Sequence, residues 1–244
     1  MSMEVNLIHF YPDLMSLYGS YANLSVLART LEKMGNTVIT TYVEMGDEAN
    51  IEDADFLFMG AGTEKRQKFA LEDFIRHGAD VKQAAENGTP MLFCGTAMEL
   101  LGKTIFDEQG REYSGIGLGG FTAKQQVKRI VEDVYGSTPL YEDAVVGFMN
   151  KSSILTGVET PFLSAAALGY GNEGKGDAEG FLYKNVIGSH LTGPILAKNP
   201  RLLEIVIAAI YAKRGESCPS IPRDKWAEEG YAVTARELKE RCGK

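Results

Sequence analysis

The first hundred residues alternate between short apolar runs and longer amphipathic stretches. The apolar runs predict four strands, at Val5–Phe10, Thr37–Val43, Asp55–Met59 and Pro90–Cys94. Apolar residues recur at i, i+3, i+4 and i+7 between Asn23 and Met34, which predicts an amphipathic helix that Gly35 ends. Further helical stretches are expected at about Glu64–Glu86 and from Gly95 to Leu101. Nearly continuous apolar strands separated by helices are typical of a mostly parallel sheet covered on both faces.

The pattern changes over residues 115–188, where short β-like runs are separated by many glycines. This texture predicts antiparallel hairpins at one edge of the sheet. Helices are expected at about residues 200–214 and 224–241. We therefore predict an α/β fold: a three-layer sandwich with a mostly parallel central sheet and an antiparallel edge over residues 1–214, followed by a C-terminal helical extension over residues 215–244.

The composition narrows the class of protein. In 244 residues, 44% are hydrophobic and 24% charged, which is ordinary for a globular protein and excludes a disordered chain or a rod. The apolar runs are much shorter than the roughly 20 residues that span a bilayer, so we expect no membrane insertion. A net charge of −8 argues against nonspecific nucleic-acid binding. The chain's first residues lack a basic and apolar leader, and no signal peptide is expected.

Three cysteines without C-x-x-C spacing argue against a disulfide framework and against a four-cysteine zinc site. We expect no metal site and a cytoplasmic location. Cys94 is the chemically interesting thiol, because it ends an apolar strand directly before Gly95 and a helical stretch. Such a turn exposes a nucleophile, and helix N–H groups there stabilise a thiolate and an oxyanion. The alternative is a buried structural cysteine.

A cysteine nucleophile normally works with a histidine base, and the chain has three histidines. His77 lies in a polar helical region and is expected in solvent. His9 ends the first strand, facing either the cleft or the core. His190 ends the run Val186–His190, where it is either the base or a polar strand-end residue.

The loop Gly60-Ala61-Gly62 follows a strand and precedes a helix, so its N–H groups are candidates to hold an oxyanion. Neither a phosphate-binding loop nor a dinucleotide fingerprint is present, and we predict no cofactor. Asp177 and Glu179 are expected to be solvated loop charges.

Several motifs together resemble a known family. They include Leu17-Tyr18-Gly19, Gly60-Ala61-Gly62, Cys94-Gly95, Leu100-Leu101-Gly102, Gly169-Tyr170-Gly171-Asn172, Gly193-Pro194 and Lys198-Asn199-Pro200. From about Leu7 to Pro200, the chain resembles class I glutamine amidotransferase domains of the cobyric-acid-synthase-like type. Within that family it is most similar to the glutaminase subunits of lipid II isoglutaminyl synthase.

The resemblance implies a reaction and a partner. In that family, a cysteine attacks the side-chain amide of glutamine, ammonia leaves, and water releases glutamate from the thioester. The ammonia passes to a Mur-ligase-like ATP-dependent synthetase, which amidates the peptidoglycan stem peptide. Cys94 matches the nucleophile, and the loop Gly60-Ala61-Gly62 with Gly95 matches the oxyanion-binding part. Arg129 matches an arginine near the glutamine pocket.

The chain departs from the family at the rest of the triad. The family's Leu-His-Gly-Pro string is here Leu191-Thr192-Gly193-Pro194, so Thr192 takes the position of the base. Ser20 takes the position of the orienting aspartate. The family's glutamine, four residues past the cysteine, is here Met98, and Glu99 follows it in a segment one residue longer than usual.

His190 lies two residues before Thr192. Side chains two apart on a strand are separated by ~6.5–7 Å, beyond the hydrogen-bond reach of ~2.6–3.2 Å unless the loop shifts. The first hypothesis is therefore a glutaminase in which His190 replaces the base. The second is an impaired amidotransferase-fold subunit that binds or regulates a partner. A third keeps Cys94 for other thiol chemistry. A contact between Cys94 and His190 would distinguish the first two.

Overall fold

The computed structural model describes residues 2–243, which form two sheets with helices packed around them. The strands are β1 (Glu4–Phe10), β2 (Thr37–Val43), β3 (Phe56–Met59), β4 (Met91–Cys94), β5 (Thr104–Phe106), β6 (Glu112–Ser114), β7 (Thr122–Thr138), β8 (Tyr141–Thr156), β9 (Ala165–Leu168), β10 (Phe181–Tyr183), β11 (Val186–Ser189) and β12 (Leu191–Thr192). The helices are α1 (Ala22–Lys33), α2 (Glu64–Phe74), α3 (Gly78–Glu86), α4 (Ile195–Lys198), α5 (Pro200–Lys213) and α6 (Lys225–Cys242).

The central sheet has the strand order β10-β11-β4-β3-β1-β2. Its neighbours pair in parallel, except that β10 runs antiparallel to β11 at one edge. The predicted α/β class, with a mostly parallel sheet and an antiparallel edge, is confirmed. The four predicted strands form at their predicted positions, to within one residue at each end.

The apolar content of β4 follows from its place in the middle of this sheet. Met91 and Phe93 belong to the apolar cluster on one face, and Leu92 and Cys94 belong to the cluster on the other. Successive side chains of a strand point to opposite faces, so a strand covered on both sides must be apolar throughout. Cys94 therefore ends a strand that is completely enclosed.

Most of the predicted hairpins form a second sheet of their own, with the order β12-β8-β7-β5-β6 and with β9 paired to β7. Only the β10–β11 hairpin joins the central sheet, with β10 at the predicted edge. The reason lies in β7 and β8, which have 17 and 16 residues and mix buried with exposed positions along their length. Antiparallel strands can leave one face in solvent, whereas the strands of the central parallel sheet are covered on both faces. Strands with mixed buried and exposed positions therefore suit a separate sheet.

The helical predictions hold with one interruption. The stretch expected as one helix divides into α2, a 3-10 turn at Ile75–His77, and α3. The segment after Cys94 is a 3-10 helix, Gly95–Leu101. No helix among residues 2–243 has the length and apolar character required to cross a membrane.

The C-terminal helix α6 lies against the second sheet. The hydroxyl of Tyr231 donates a hydrogen bond to the carbonyl oxygen of Ala144 at 2.7 Å, and Arg241 forms an ion pair with Asp133 at 2.5 Å. Leu238 is the buried residue of this helix. The extension expected after residue 214 therefore docks on its own chain.

Candidate functional site

Cys94 ends β4 at the carboxyl edge of the central sheet, where ligands of parallel sheets bind. Its side chain is completely buried. Among residues 2–243 the only hydrogen-bond partner of its Sγ is the side-chain amide of Asn23, at 3.8 Å. Burial, together with the negative charge of Glu179, raises the pKa of the Cys94 thiol far above its usual range. The thiol is therefore neutral in this conformation.

Gly95 makes the sharp turn after the strand. Its φ is +59°, and a Cβ at this position would lie 2.7 Å from the Cβ of Ala61. A side chain is therefore excluded both by the backbone conformation and by the close approach of the glycine-rich loop. Gly95 and the loop Gly60-Ala61-Gly62, the two segments expected to hold an oxyanion, are therefore in contact next to Cys94.

The amides of that loop are already engaged. The N–H of Ala61 donates to Oγ of Ser20 at 3.3 Å, and the N–H of Gly62 donates to Oγ1 of Thr96 at 3.1 Å. An oxyanion hole needs donors aimed at the place where negative charge develops. In this conformation these two donors serve neighbouring hydroxyls instead.

Thr192 occupies the position at which the sequence comparison places the base. Its Oγ1 donates to the carbonyl oxygen of Phe148 at 3.1 Å, and its methyl group lies 3.5 Å from the Cβ position of Gly95. Thr192 is thus close to the nucleophile turn. A hydroxyl, however, cannot take a proton from a thiol near neutral pH.

His190 is buried between two carboxylates. Its Nε2 lies 3.3 Å from Oε1 of Glu99, and its Nδ1 lies 3.7 Å from Oε1 of Glu179. Its backbone N–H donates to the same Glu179 oxygen at 2.7 Å. No hydrogen bond joins His190 to Cys94 in the part of the chain that the structure describes. The geometry therefore assigns the imidazole to the carboxylates.

Glu99 is the centre of a buried polar network. Its carboxylate accepts hydrogen bonds from Ser153 Oγ at 2.5 Å, Gln67 Nε2 at 2.8 Å and Gln125 Nε2 at 3.1 Å. Burial opposes the ionisation of Glu99, but the hydrogen bond and charge of His190, together with the hydrogen bonds from Ser153 and Gln67, outweigh it and lower the pKa of Glu99. The network fixes the segment after Cys94 against the second sheet.

The prediction that Glu179 is a solvated loop charge is wrong. Its side chain is completely buried, and it accepts a hydrogen bond from Ser189 Oγ at 2.8 Å in addition to that from His190. Buried donors stabilise this carboxylate. Lys151, on β8, adds a buried cation whose Nζ donates to Gly171 O at 2.5 Å and whose pKa burial lowers to about 8.

The remaining histidines belong to the core. His77, expected in solvent, is buried, with its ring centroid 5.7 Å from that of Phe10. The 3-10 turn that interrupts the expected helix rotates it inward. His9 packs between the rings of Tyr42 and Phe58, and burial lowers its pKa to about 4.

Arg129 lies on β7 at the surface of the protein. Its Nη1 pairs with Glu64 Oε1 at 2.7 Å, and its Nε donates to Asn150 Oδ1 at 2.7 Å. It lines a cavity of about 620 Å³ whose walls do not include Cys94. The guanidinium group is thus held by its own chain. No group of three or more His, Cys, Asp or Glu side chains within residues 2–243 is arranged to hold a metal ion.

Residues 6–200 match the family described as the CobB/CobQ-like glutamine amidotransferase domain. The chain belongs to this family. Two curated relatives carry the name lipid II isoglutaminyl synthase (glutamine-hydrolyzing) subunit GatD. The one from Staphylococcus aureus is 26% identical over 87% of this chain and 86% of its own length. The one from Streptococcus pneumoniae is 29% identical over 87% of this chain and 83% of its own.

A crystal structure described as a glutamine amidotransferase shares the fold. It superposes with a TM-score of 0.50 and 16% identity, covering 83% of this chain and 98% of that one. In this amidotransferase domain, the structure brings Cys94, Gly95 and the loop Gly60-Ala61-Gly62 together. His190 contacts Glu99 and Glu179, and Arg129 contacts Glu64 and Asn150.

Sequence reasoning missed the network around Glu99 in this amidotransferase domain. The segment Thr96-Ala97-Met98-Glu99-Leu100-Leu101 did contain the signal, because it is apolar apart from one hydroxyl and one carboxylate. A charged residue in a stretch that is otherwise buried must find donors. The identity of the donors, Gln67, Gln125 and Ser153, depends on tertiary contacts between distant parts of the chain.

Proposed function

We propose that this chain is the amidotransferase-fold subunit of a two-subunit enzyme that amidates a peptidoglycan precursor. Its partner would be a Mur-ligase-like, ATP-dependent synthetase. The names of the two relatives support this proposal, since each alignment covers more than four fifths of both chains. We place the reaction in the cytoplasm, a compartment in which free thiols such as those of this chain persist.

Within that enzyme, we propose that the cysteine–histidine glutaminase reaction of the family is impaired. One observation carries this conclusion: the Cys94 thiol has a side-chain amide as its hydrogen-bond partner, and the base position beside it holds Thr192. The raised pKa of the thiol also lowers its reactivity, and the amides of Ala61 and Gly62 are already bound to hydroxyl groups and do not point to an oxyanion. The subunit would then act by binding the synthetase, and the synthetase would take its nitrogen from free ammonium.

The second candidate is a working glutaminase, and the surroundings of His190 favour it. Glu99 and Glu179 flank the imidazole as an orienting carboxylate flanks a catalytic histidine. Ser189, the residue before it, is directly opposite Cys94 in the pairing of β11 with β4. A shift of this segment would let His190 accept the thiol proton. The thiolate would attack the glutamine amide carbon, and the proton would leave with ammonia.

The experiment measures precursor amidation by the complex with either glutamine or ammonium chloride as the nitrogen source. Impairment predicts amidation with ammonium and not with glutamine, and no glutamate release above that of Cys94→Ala. Cys218→Ala, which removes a thiol far from the site in sequence, is the matched control. Glutamate release that requires both Cys94 and His190 would instead establish the second candidate. Failure of the chain to bind any synthetase would overturn the two-subunit proposal itself.

A further inference from the structure

Strand β2 forms one edge of the central sheet. It pairs with β1 along its whole length and in one unbroken register, and no other strand among residues 2–243 lies on its far side. Its sequence, TVITTYV, consists of β-branched residues and one tyrosine, without a charge, a proline or a glycine. Native proteins usually protect an exposed edge with a charge, a proline or a bulge, because an open edge pairs with other chains. The edge at β2 has none of these three protections.

The backbone of β2 offers hydrogen-bonding groups along this edge. The N–H of Thr37 donates to the carbonyl oxygen of Met3, beside β1, at 3.0 Å. Successive residues of a strand direct their backbone groups to opposite sides, so every second residue from Thr37 onward faces β1. The residues between them, Val38, Thr40 and Tyr42, turn their N–H and C=O groups to the open edge. No other strand in the part of the chain that the structure describes reaches these groups.

The outward backbone groups of β2 match those of a second copy that runs antiparallel to it. If Thr40 lies opposite Thr40 of the second copy, the two residues exchange a pair of hydrogen bonds. Val38 then lies opposite Tyr42 and exchanges a further pair on each side of the centre. In this register every outward N–H and C=O group of both strands has a partner.

The side chains fit the same register. Val38 opposite Tyr42 is a β-branched residue beside an aromatic one, and Thr40 opposite itself places two hydroxyl groups side by side. On the other face of the sheet, Ile39 lies opposite Thr41. Ile39 and Tyr42 are 43% and 61% exposed in the single chain, so pairing removes apolar surface from water. Because β2 carries no charge, no like charges oppose each other within the paired strands.

We propose that two copies of this chain associate through β2, antiparallel and with Thr40 at the two-fold axis, so that their central sheets become one continuous sheet. Such an interface uses the same surface on both copies and closes at two subunits. Strands β1 and β3 separate β2 from β4, which places the interface about 14 Å from the strand of Cys94. The dimer therefore leaves the edge at Cys94 free, and it does not depend on the proposed function.

Sedimentation equilibrium of the purified full chain, without a synthetase, tests the association. We expect the mean mass to rise with concentration from that of one chain toward that of two. The Kd should be about 1–100 µM, because one pair of strands lies at the small end of specific interfaces. A chain that is still monomeric at about 1 mM, ten times the upper limit, would overturn the proposal.

Substitutions at Thr40 test the two-fold axis. Thr40 is partly exposed, so a longer side chain can reach solvent. In Thr40→Lys and in Thr40→Glu, two like charges oppose each other across the axis, and each variant alone should be monomeric. An equimolar mixture of the two should associate again, because lysine then lies opposite glutamate. A misfolded variant could not produce that recovery.

Val131→Lys is the matched control, since it adds the same charge to an exposed position of β7 and should leave the Kd unchanged. Dimerisation of Thr40→Lys with the Kd of the parent chain, or a mixture that stays monomeric, would overturn the two-fold register. If the parent chain is monomeric and Thr40→Lys instead weakens binding of the synthetase, the edge pairs with that partner and the dimer is excluded.

Discussion

At the scale of single residues, the proposed impairment of Cys94 depends on Thr192. The threonine hydroxyl lies next to the nucleophile turn and is bound to a backbone carbonyl. A basic nitrogen at this position would provide the proton acceptor that the thiol lacks. General-base assistance typically contributes ~10²–10⁴-fold to a reaction.

Thr192→Val and Thr192→His therefore form an informative pair. We expect Thr192→His to raise glutamate release from glutamine by about 10²-fold, at the lower end of that range because the engaged loop amides persist. Thr192→Val, which removes the hydroxyl without adding a base, should match the parent chain. If the double variant Thr192→His/Cys94→Ala released as much glutamate as Thr192→His, the added histidine would not be acting on Cys94.

The buried thiol of Cys94 makes a second prediction. Because its pKa is raised, its thiolate fraction at pH 7 is smaller than that of an ordinary cysteine, whose pKa is about 8.5. In Cys218→Ser/Cys242→Ser, which leaves Cys94 as the only thiol, iodoacetamide should react slowly at pH 7. The rate should still be rising at pH 9. A plateau below pH 8 would show a thiolate stabilised by a base.

Much of this residue-level picture was accessible from the sequence. The position of Cys94 between a strand and a turn follows from the apolar pattern. Thr192 and Ser20, which stand where the family has its histidine and aspartate, are recognised by comparison with the family motifs. The surroundings of His190 were not, because its partners Glu99 and Glu179 are far from it or buried by loops whose paths the sequence does not specify. His77 likewise turns inward through a 3-10 interruption that apolar periodicity does not reveal.

At the scale of elements, β1 carries a histidine where an apolar residue would also fit. The folded pKa of His9, about 4, is lower than the ordinary value of 6.5, so the unfolded chain takes up the proton first. The stability that a neutral His9 provides is complete above pH 6.5. It is lost as the pH falls toward 4, by about 3 kcal/mol in total.

Urea unfolding of the parent chain and of His9→Leu between pH 7 and pH 4 measures this contribution. We expect the free energy of unfolding to fall more steeply with acid in the parent chain, because the carboxylates that both proteins share cancel in the difference. Parallel pH curves for the two proteins would show that His9 ionises with little cost in the folded state.

Helix α6 offers a test of how firmly the C-terminal segment is attached. Leu238 is buried against the second sheet, whereas Val233 on the same helix is 50% exposed. We expect Leu238→Ala to lower the free energy of unfolding by about 2 kcal/mol and Val233→Ala to change it by less than about 0.5 kcal/mol. Equal effects in urea unfolding would mean that α6 is bound only loosely.

The periodicity of apolar residues predicted the positions of most strands and helices, but it did not predict how the strands pair into two sheets. The runs at β1 to β4 are apolar because both faces are covered, and this signal is local. The pairing of β7 with β8 over most of their length depends on a tight turn and a long register that includes shifts between Gln125 and Ile130. Such register shifts come from tertiary packing and leave no clear pattern in the sequence.

At the scale of the whole molecule, the network around Glu99 connects the two sheets. Glu99 follows β4 of the central sheet, whereas Ser153 and Gln125 lie on β8 and β7 of the second. Removing the carboxylate would leave Ser153 Oγ and His190 Nε2 without a partner and would take one of two acceptors from each of Gln67 and Gln125. We expect Glu99→Ala to lower the free energy of unfolding by about 3–5 kcal/mol.

Glu99→Gln is the control, because it keeps the size of the side chain and one acceptor oxygen. It should cost clearly less than Glu99→Ala in urea unfolding. If both variants were within about 1 kcal/mol of the parent chain, the two sheets would be joined by apolar packing alone.

The complete burial of the Cys94 thiol also has a pharmacological consequence. A glutamine mimic with an electrophilic carbon inactivates an amidotransferase only if the pocket presents a reactive thiolate to it. A neutral thiol enclosed by the core offers such a compound neither access nor a nucleophile. Cells that amidate their precursors with this subunit and ammonium should therefore be insensitive to that class of inhibitor.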